Sequence, residues 1–170
     1  MKLFKKSIFL IAASIFSMNV IAQDIVDVAV SSKAHTTLVA AVKAADLVTT
    51  LKSKGPFTVF APTNDAFAKL PAGTVEGLLK PENKNALAGI LTYHVVAGNL
   101  DAKSVLAAIK KGGGKVTLTT VAGGKLTASI IDGKVVLTDE NGGKSTVTAT
   151  DLKGSNGIIH VIDAVVLPKS

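Results

Sequence analysis

Apolar residues recur at helical spacing through the first part of the chain and alternate with polar ones through the last. After Asp24 come Ile25, Val28 and Ala29. Leu38, Val39 and Val42 then form a stripe that Leu47, Val48 and Leu51 continue beyond a break near Asp46. A period near 3.6 puts such residues on one helix face, so residues 24–51 predict helices, with Asp24 as an N-cap. Ser32, Lys33 and His35 fall in the connection, and Gly55-Pro56 is a strong breaker. Phe57 to Ala61 reads as a strand ended by Pro62. Thr63 then caps a helix that carries Asp65 in its first turn, where a carboxylate meets the positive helix end. Phe67 and Leu70 share a face of that helix, and Pro71 stops it. A short helix starts at Thr74, and another runs from Asn83 to Thr92. Tyr93-His94-Val95-Val96 turns extended, and Asp101 caps a last helix with Val105, Leu106 and Ile109 inward.

Beyond Gly112-Gly113-Gly114 the period becomes two. Val116 and Leu118 alternate with lysine and threonine, as do Leu126, Ala128 and Ile130 with Thr127 and Ser129. Asp132-Gly133 between two apolar runs signals a tight hairpin, with Val135 to Thr138 as the return strand. Asn141-Gly142-Gly143 is the next turn. Val147 and Ala149 alternate with threonines, Lys153 to Asn156 is a loop, and a last strand runs from Ile158 to Leu167. Helices lead and an antiparallel meander follows, which is an α+β unit. Phe57–Ala61 stands alone in the helical half. It must join the later sheet, or its backbone groups stay unpaired. No 20–50-residue period repeats, so one copy of the domain is expected.

Residues 1–22 read as a secretory signal. Lys2, Lys5 and Lys6 lead, Ile8 to Phe16 form the apolar stretch, and Val20-Ile21-Ala22 precedes a cleavage point at Gln23. The apolar run is broken by Ser14, Ser17 and Asn19, short of the roughly 20 residues a spanning helix needs. The expectation is a secreted or periplasmic domain over residues 23–170, with no transmembrane anchor after processing. Without cysteine it must hold by core packing rather than disulfides. Of the formal charge of +7, three charges come from the leader lysines. The other cations are scattered lysines. Arginine, the residue suited to bidentate phosphate and base contacts, is absent, which argues against nucleic acid. Weak attraction to anionic polysaccharide or lipid head groups fits a mildly basic surface.

Catalytic patterns are missing. There is no Gly-x-Ser-x-Gly elbow and no nucleophilic cysteine. Gly143-Lys144-Ser145 resembles a P-loop ending, but Thr138 stands where its first glycine belongs. Asp139-Glu140-Asn141-Gly142 resembles the start of a calcium loop, yet Gly143 and Lys144 stand at the ligand and turn positions. The three histidines lack metal-ligand spacing, so neither a metal nor a cofactor is expected.

Three ordered segments carry a resemblance: Gly55 to Leu70, Leu91 to Gly98, and Asn156 to Pro168. Together with Ile25-Val26-Asp27 and Leu38 to Val42, they are similar to the fasciclin domain family over about residues 24–168. The resemblance implies an antiparallel β-wedge or sandwich of about seven strands with several flanking helices. It also implies an extracellular adhesion module that binds proteins, matrix components or surfaces without catalysis. Its structural motif maps onto Thr58, Phe60, Pro62, Thr63, Asn64, Asp65 and Phe67, and onto Gly157, His160, Val161, Ile162 and Asp163.

Some animal members are proposed to engage integrins through an Asp followed by an aliphatic residue, together with a tyrosine–histidine pair. Asp151-Leu152 and Tyr93-His94 occupy those places. Ala149 and Thr150 stand where the animal pattern has an acid and a proline. By residue chemistry, Asn64 and Asp65 suit a helix cap and turn, and His160 suits a partly buried structural role. Tyr93 and His94 would point opposite ways on an extended segment, one of them inward. Asp151-Leu152 offers an apolar anchor with a polar rim, or else Leu152 packs at a strand end. The reading is an exported adhesion or protein-interaction module. A carrier of a small apolar or lipid-like ligand is the alternative, favoured by the aliphatic-rich composition.

Overall fold

The computed structural model describes residues 22–169. The signal reading lies outside them except at Ala22. Helix α1 (Ile25–Ser31) starts where Asp24 accepts the amides of Val26 and Asp27, both at 2.9 Å, while Asp27 reaches back to the Asp24 amide. This reciprocal pairing satisfies donors that a bare helix end leaves open. Helices α2 (Thr36–Ala44) and α3 (Val48–Lys52) follow, then β1 (Phe57–Pro62) and α4 (Asn64–Ala68). Next come α5 (Thr74–Leu78), α6 (Lys84–Tyr93), β2 (Val95–Ala97) and α7 (Ala102–Lys111). The rest is β3 (Lys115–Thr119), β4 (Lys125–Ile131), β5 (Lys134–Thr138), β6 (Lys144–Gly154) and β7 (Gly157–Ile162). Among the described residues, no single helix is long and apolar enough to cross a membrane.

The seven strands run in the order β2-β1-β7-β6-β5-β4-β3. β3 to β7 form the expected antiparallel meander. β1 instead lies parallel to β7, paired from Phe57–Gly157 to Pro62–Ile162. The isolated strand of the helical half thus finds its partner at the end of the chain. The outer edges approach each other as well: Val96 bridges Thr120, and the Val121 amide donates to the Val95 carbonyl at 2.7 Å. The sheet is therefore nearly closed.

β1 and β7 are buried on both faces, which is why they read as continuous apolar runs. Val59, Ala61 and Ile159 pack with Ile25, Leu38, Val42, Phe67, Leu87 and Leu91 of the helices. Phe60 and Ile162 join a second core with Tyr93, Val105, Ile109, Leu126 and Leu137. β6 pairs with both β5 and β7 and carries register shifts around Ala149 that bend it from one to the other.

Three local expectations change. Tyr93 is the last residue of α6 and His94 its helical C-cap, so the strand begins at Val95. β6 continues to Gly154, into the expected loop. The last strand ends at Ile162, not Leu167, because the Asp163 carboxylate turns to the Thr146 amide at 2.8 Å. The following residues bond to side chains instead of a strand.

Candidate interaction site

Ending α6 at Tyr93 sends both members of the tyrosine–histidine pair inward. Tyr93 is 0 % exposed and His94 2 %. The Tyr93 hydroxyl donates to the Lys125 carbonyl at 2.6 Å and accepts the Glu140 amide at 3.3 Å. Its ring lies against Gly124, where a Cβ would stand 2.6 Å from Cε2. Burial pushes the phenol above its ordinary value.

His94 Nδ1 donates to the Ile90 carbonyl at 2.8 Å, and Nε2 accepts the Val166 amide at 3.2 Å. These partners define a neutral ring, because a second N–H would face the Val166 N–H. Burial is the main cause that lowers this histidine to about 4, against the Ile90 bond and the Asp139 charge. Both side chains are buried, and their polar atoms bond to groups of the fold itself.

His160 is fully buried and stacks on Phe60, with ring centroids 5.7 Å apart. Its Nε2 donates to the Leu100 carbonyl at 2.6 Å, and its Nδ1 receives the Asp151 amide at 3.4 Å. Asp151 sits at φ +59° in the irregular stretch of β6. Its carboxylate accepts the Ala102 amide at 2.9 Å, at the start of α7, beside the Asp101 cap on Ser104. A carboxylate at a helix N-terminus is stabilised there by the open amides and the helix dipole. Asp151 is therefore held on both its backbone and its side chain. Leu152, opposite Ile159, stays 38 % exposed.

Most of the other motif residues also serve the fold, while Asp65 is exposed. The Thr58 hydroxyl donates to the Gly98 carbonyl at 2.8 Å and accepts the Leu100 amide at 2.9 Å. Thr63 caps α4 by accepting the Ala66 amide. Asn64 accepts the Thr37 amide and the Thr36 hydroxyl and donates to the Lys33 carbonyl, so it ties α4 to the start of α2. Asp65 lies in the first turn of α4. Phe67, Val161, Ile162 and Pro62 are buried. Gly157 is required by closeness, since a Cβ there would overlap the Phe57 backbone carbonyl.

Two structural residues had no assigned role in the sequence reading. Asn156 accepts the Ile25 amide at 3.0 Å and donates to the carbonyls of Leu51 and Ser53 at 2.7 and 2.9 Å. Its own carbonyl receives the Phe57 amide. An Asn before Gly signals only a turn, so this hub could not be found from spacing. Asp139, in the calcium-loop-like segment, instead accepts the amides of Asn141, Gly143 and Leu167. It closes its own turn and pins the C-terminal segment. Among the described residues, no three His, Asp or Glu side chains gather as metal ligands would.

Among the described residues, a nearly closed seven-stranded sheet with seven α-helices, most of its polar motif side chains bonded within the fold, defines a scaffold class. The fasciclin domain model matches residues 33–168, and the chain belongs to the fasciclin domain family. Protein sll1483 of Synechocystis is 55 % identical over 147 residues, covering 86 % of this chain and 74 % of that protein. Immunogenic protein MPB70 of Mycobacterium bovis is 39 % identical, covering 89 % of this chain and 73 % of its own length. Transforming growth factor-beta-induced protein ig-h3 of Sus scrofa is 35 % identical over 85 % of this chain, which is 19 % of that longer protein. The FAS1 domain pair of the insect cell adhesion molecule fasciclin I has the same fold, at TM-score 0.60 and 20 % identity. That match covers 74 % of this chain and 42 % of that one.

Proposed function

We propose that this chain is an exported adhesion or protein-interaction module that works through surface contacts, without catalysis. The carrying observation is where the motif's polar groups go. Thr58, Asn64, Tyr93, His94 and His160 all bond to groups of the fold itself. A catalytic residue must present a group to substrate, and these five present theirs to the backbone or to neighbouring side chains. The family relationship supports the same reading.

The contact we assign is the exposed stretch of β6 around Leu152, with Asp151 positioning it. An apolar side chain held on a rigid strand with a polar rim suits protein recognition. The outer face of the meander suits an anionic matrix component such as an acidic polysaccharide. There Lys115, Lys125, Lys134 and Lys144 stand among Thr117, Thr119, Thr127, Thr138 and Thr146. The experiment is attachment of the mature protein to the envelope and matrix fraction of the producing cells, comparing wild type with Leu152→Asp. Loss of attachment in a variant of unchanged melting temperature supports the assignment. Full attachment rejects it.

A further inference from the structure

Between α1, α2, α3 and β1 lies a cavity of about 170 Å³. Its walls are aliphatic, with Ile25, Leu38, Val42, Leu51, Val59 and Leu91 among them, and they include no Phe or Tyr. His94 is the one polar side chain in the deep wall, and both its ring nitrogens are already bonded. Water needs two to four polar partners, so such a space stays dry. Dry apolar cavities of about 150 Å³ take up molecules the size of benzene.

The rim differs from the walls. Val30 lies there at 55 % exposure, with Asp27, Lys43 and Lys52. Lys52 is held by Asp24 at 3.1 Å and Asp27 at 2.7 Å. Lys43 forms no ion pair among the described residues. A pocket of flexible aliphatic walls without a ring to stack on, opening beside a free ammonium, matches one ligand chemistry. We propose that it takes the hydrocarbon tail of a single-chain anionic amphiphile, a medium-chain carboxylate, with the carboxylate beside Lys43. This site is separate from the Leu152 edge and does not depend on it.

Each methylene moved from water into such a wall strengthens binding about fourfold. The test is titration of the full mature protein, followed by amide NMR shifts, with sodium octanoate, sodium butyrate and octyltrimethylammonium. Octanoate should bind at least tenfold more tightly than butyrate and than the cationic octyl compound. Its shifts should centre on α1, α2 and β1. Ala29→Leu, which fills the cavity from α1, should weaken octanoate at least tenfold. Should Ala29→Leu fail to fold, the surface variant Lys43→Glu serves as the second variant and should weaken octanoate severalfold. Octanoate binding no tighter than butyrate, shifts confined to other surfaces, or equal binding of the cationic compound would overturn the proposal.

Discussion

The backbone N–H of Val166 donates to Nε2 of His94 at 3.2 Å, across 72 residues of sequence. The same ring donates through Nδ1 to Ile90, one turn back on α6. The imidazole thus clips the C-terminal segment to the end of a helix, and it does so only when neutral.

Acid should weaken this clip. The unfolded histidine takes a proton near its ordinary 6.5, and the folded one only near 4. Between these values the unfolded state holds more protons, so stability falls as pH drops through that window and levels off below it. The loss is about 3 kcal/mol for a shift of this size. His35 adds in the same direction: burial lowers it, and its Nε2 has no partner in hydrogen-bond geometry, although the Ala61 carbonyl partly offsets the burial. Urea unfolding at pH 7 and pH 4.5 checks this. His94→Gln should be less stable at pH 7 and show a flatter pH dependence.

Gly157→Ala should cost more than 2 kcal/mol or prevent folding, because its Cβ would meet the Phe57 carbonyl inside the β1–β7 pair. Gly77→Ala, in α5 with open space around it, should be neutral or stabilising by up to about 1 kcal/mol. Thermal unfolding of the two variants separates closeness from flexibility.

Asp151→Ala removes the carboxylate from the Ala102 amide and should cost about 1 kcal/mol. Leu152→Ala, on the exposed side, should stay within about 0.5 kcal/mol of wild type. A double substitution would confound stability with contact, so the two should be measured singly.

Asp139→Ala should release the turn and the C-terminal segment together. Amide hydrogen exchange should quicken at Asn141, Gly143 and Leu167 and remain slow in β1 and β7.

Much of this architecture was legible in the sequence. The Asp24, Thr63 and Asp101 caps and the Asp132-Gly133 hairpin follow from local chemistry and are present, and the last helix buries Val105 and Ile109 as expected but leaves Leu106 37 % exposed. The need for Phe57–Ala61 to join the later sheet was legible too, but not that it would lie parallel to β7. The end of α6 is legible only to within a residue or two: Val95-Val96 reads as extended together with Tyr93 and His94, whereas Tyr93 closes the helix and His94 caps it. The sequence pattern points one of this pair inward, and the fold buries both. The end of β7 was misread because Val165, Val166 and Leu167 continue the apolar run. Their amides bond to His94 and Asp139, partners that only the folded chain brings near. Asp151 shows the same limit, since an Asp in a β-rich stretch gives no sign that a helix N-terminus will face it.

The most direct test sets stability against attachment across one set of variants: Thr58→Val, His94→Gln, Asn156→Ala and Leu152→Asp. Each variant's melting temperature is compared with its affinity for the envelope and matrix fraction, measured well below melting. The first three should melt earlier and bind as wild type, and Leu152→Asp should melt as wild type and bind poorly. An inward-facing variant that keeps its melting temperature yet loses attachment would contradict the account.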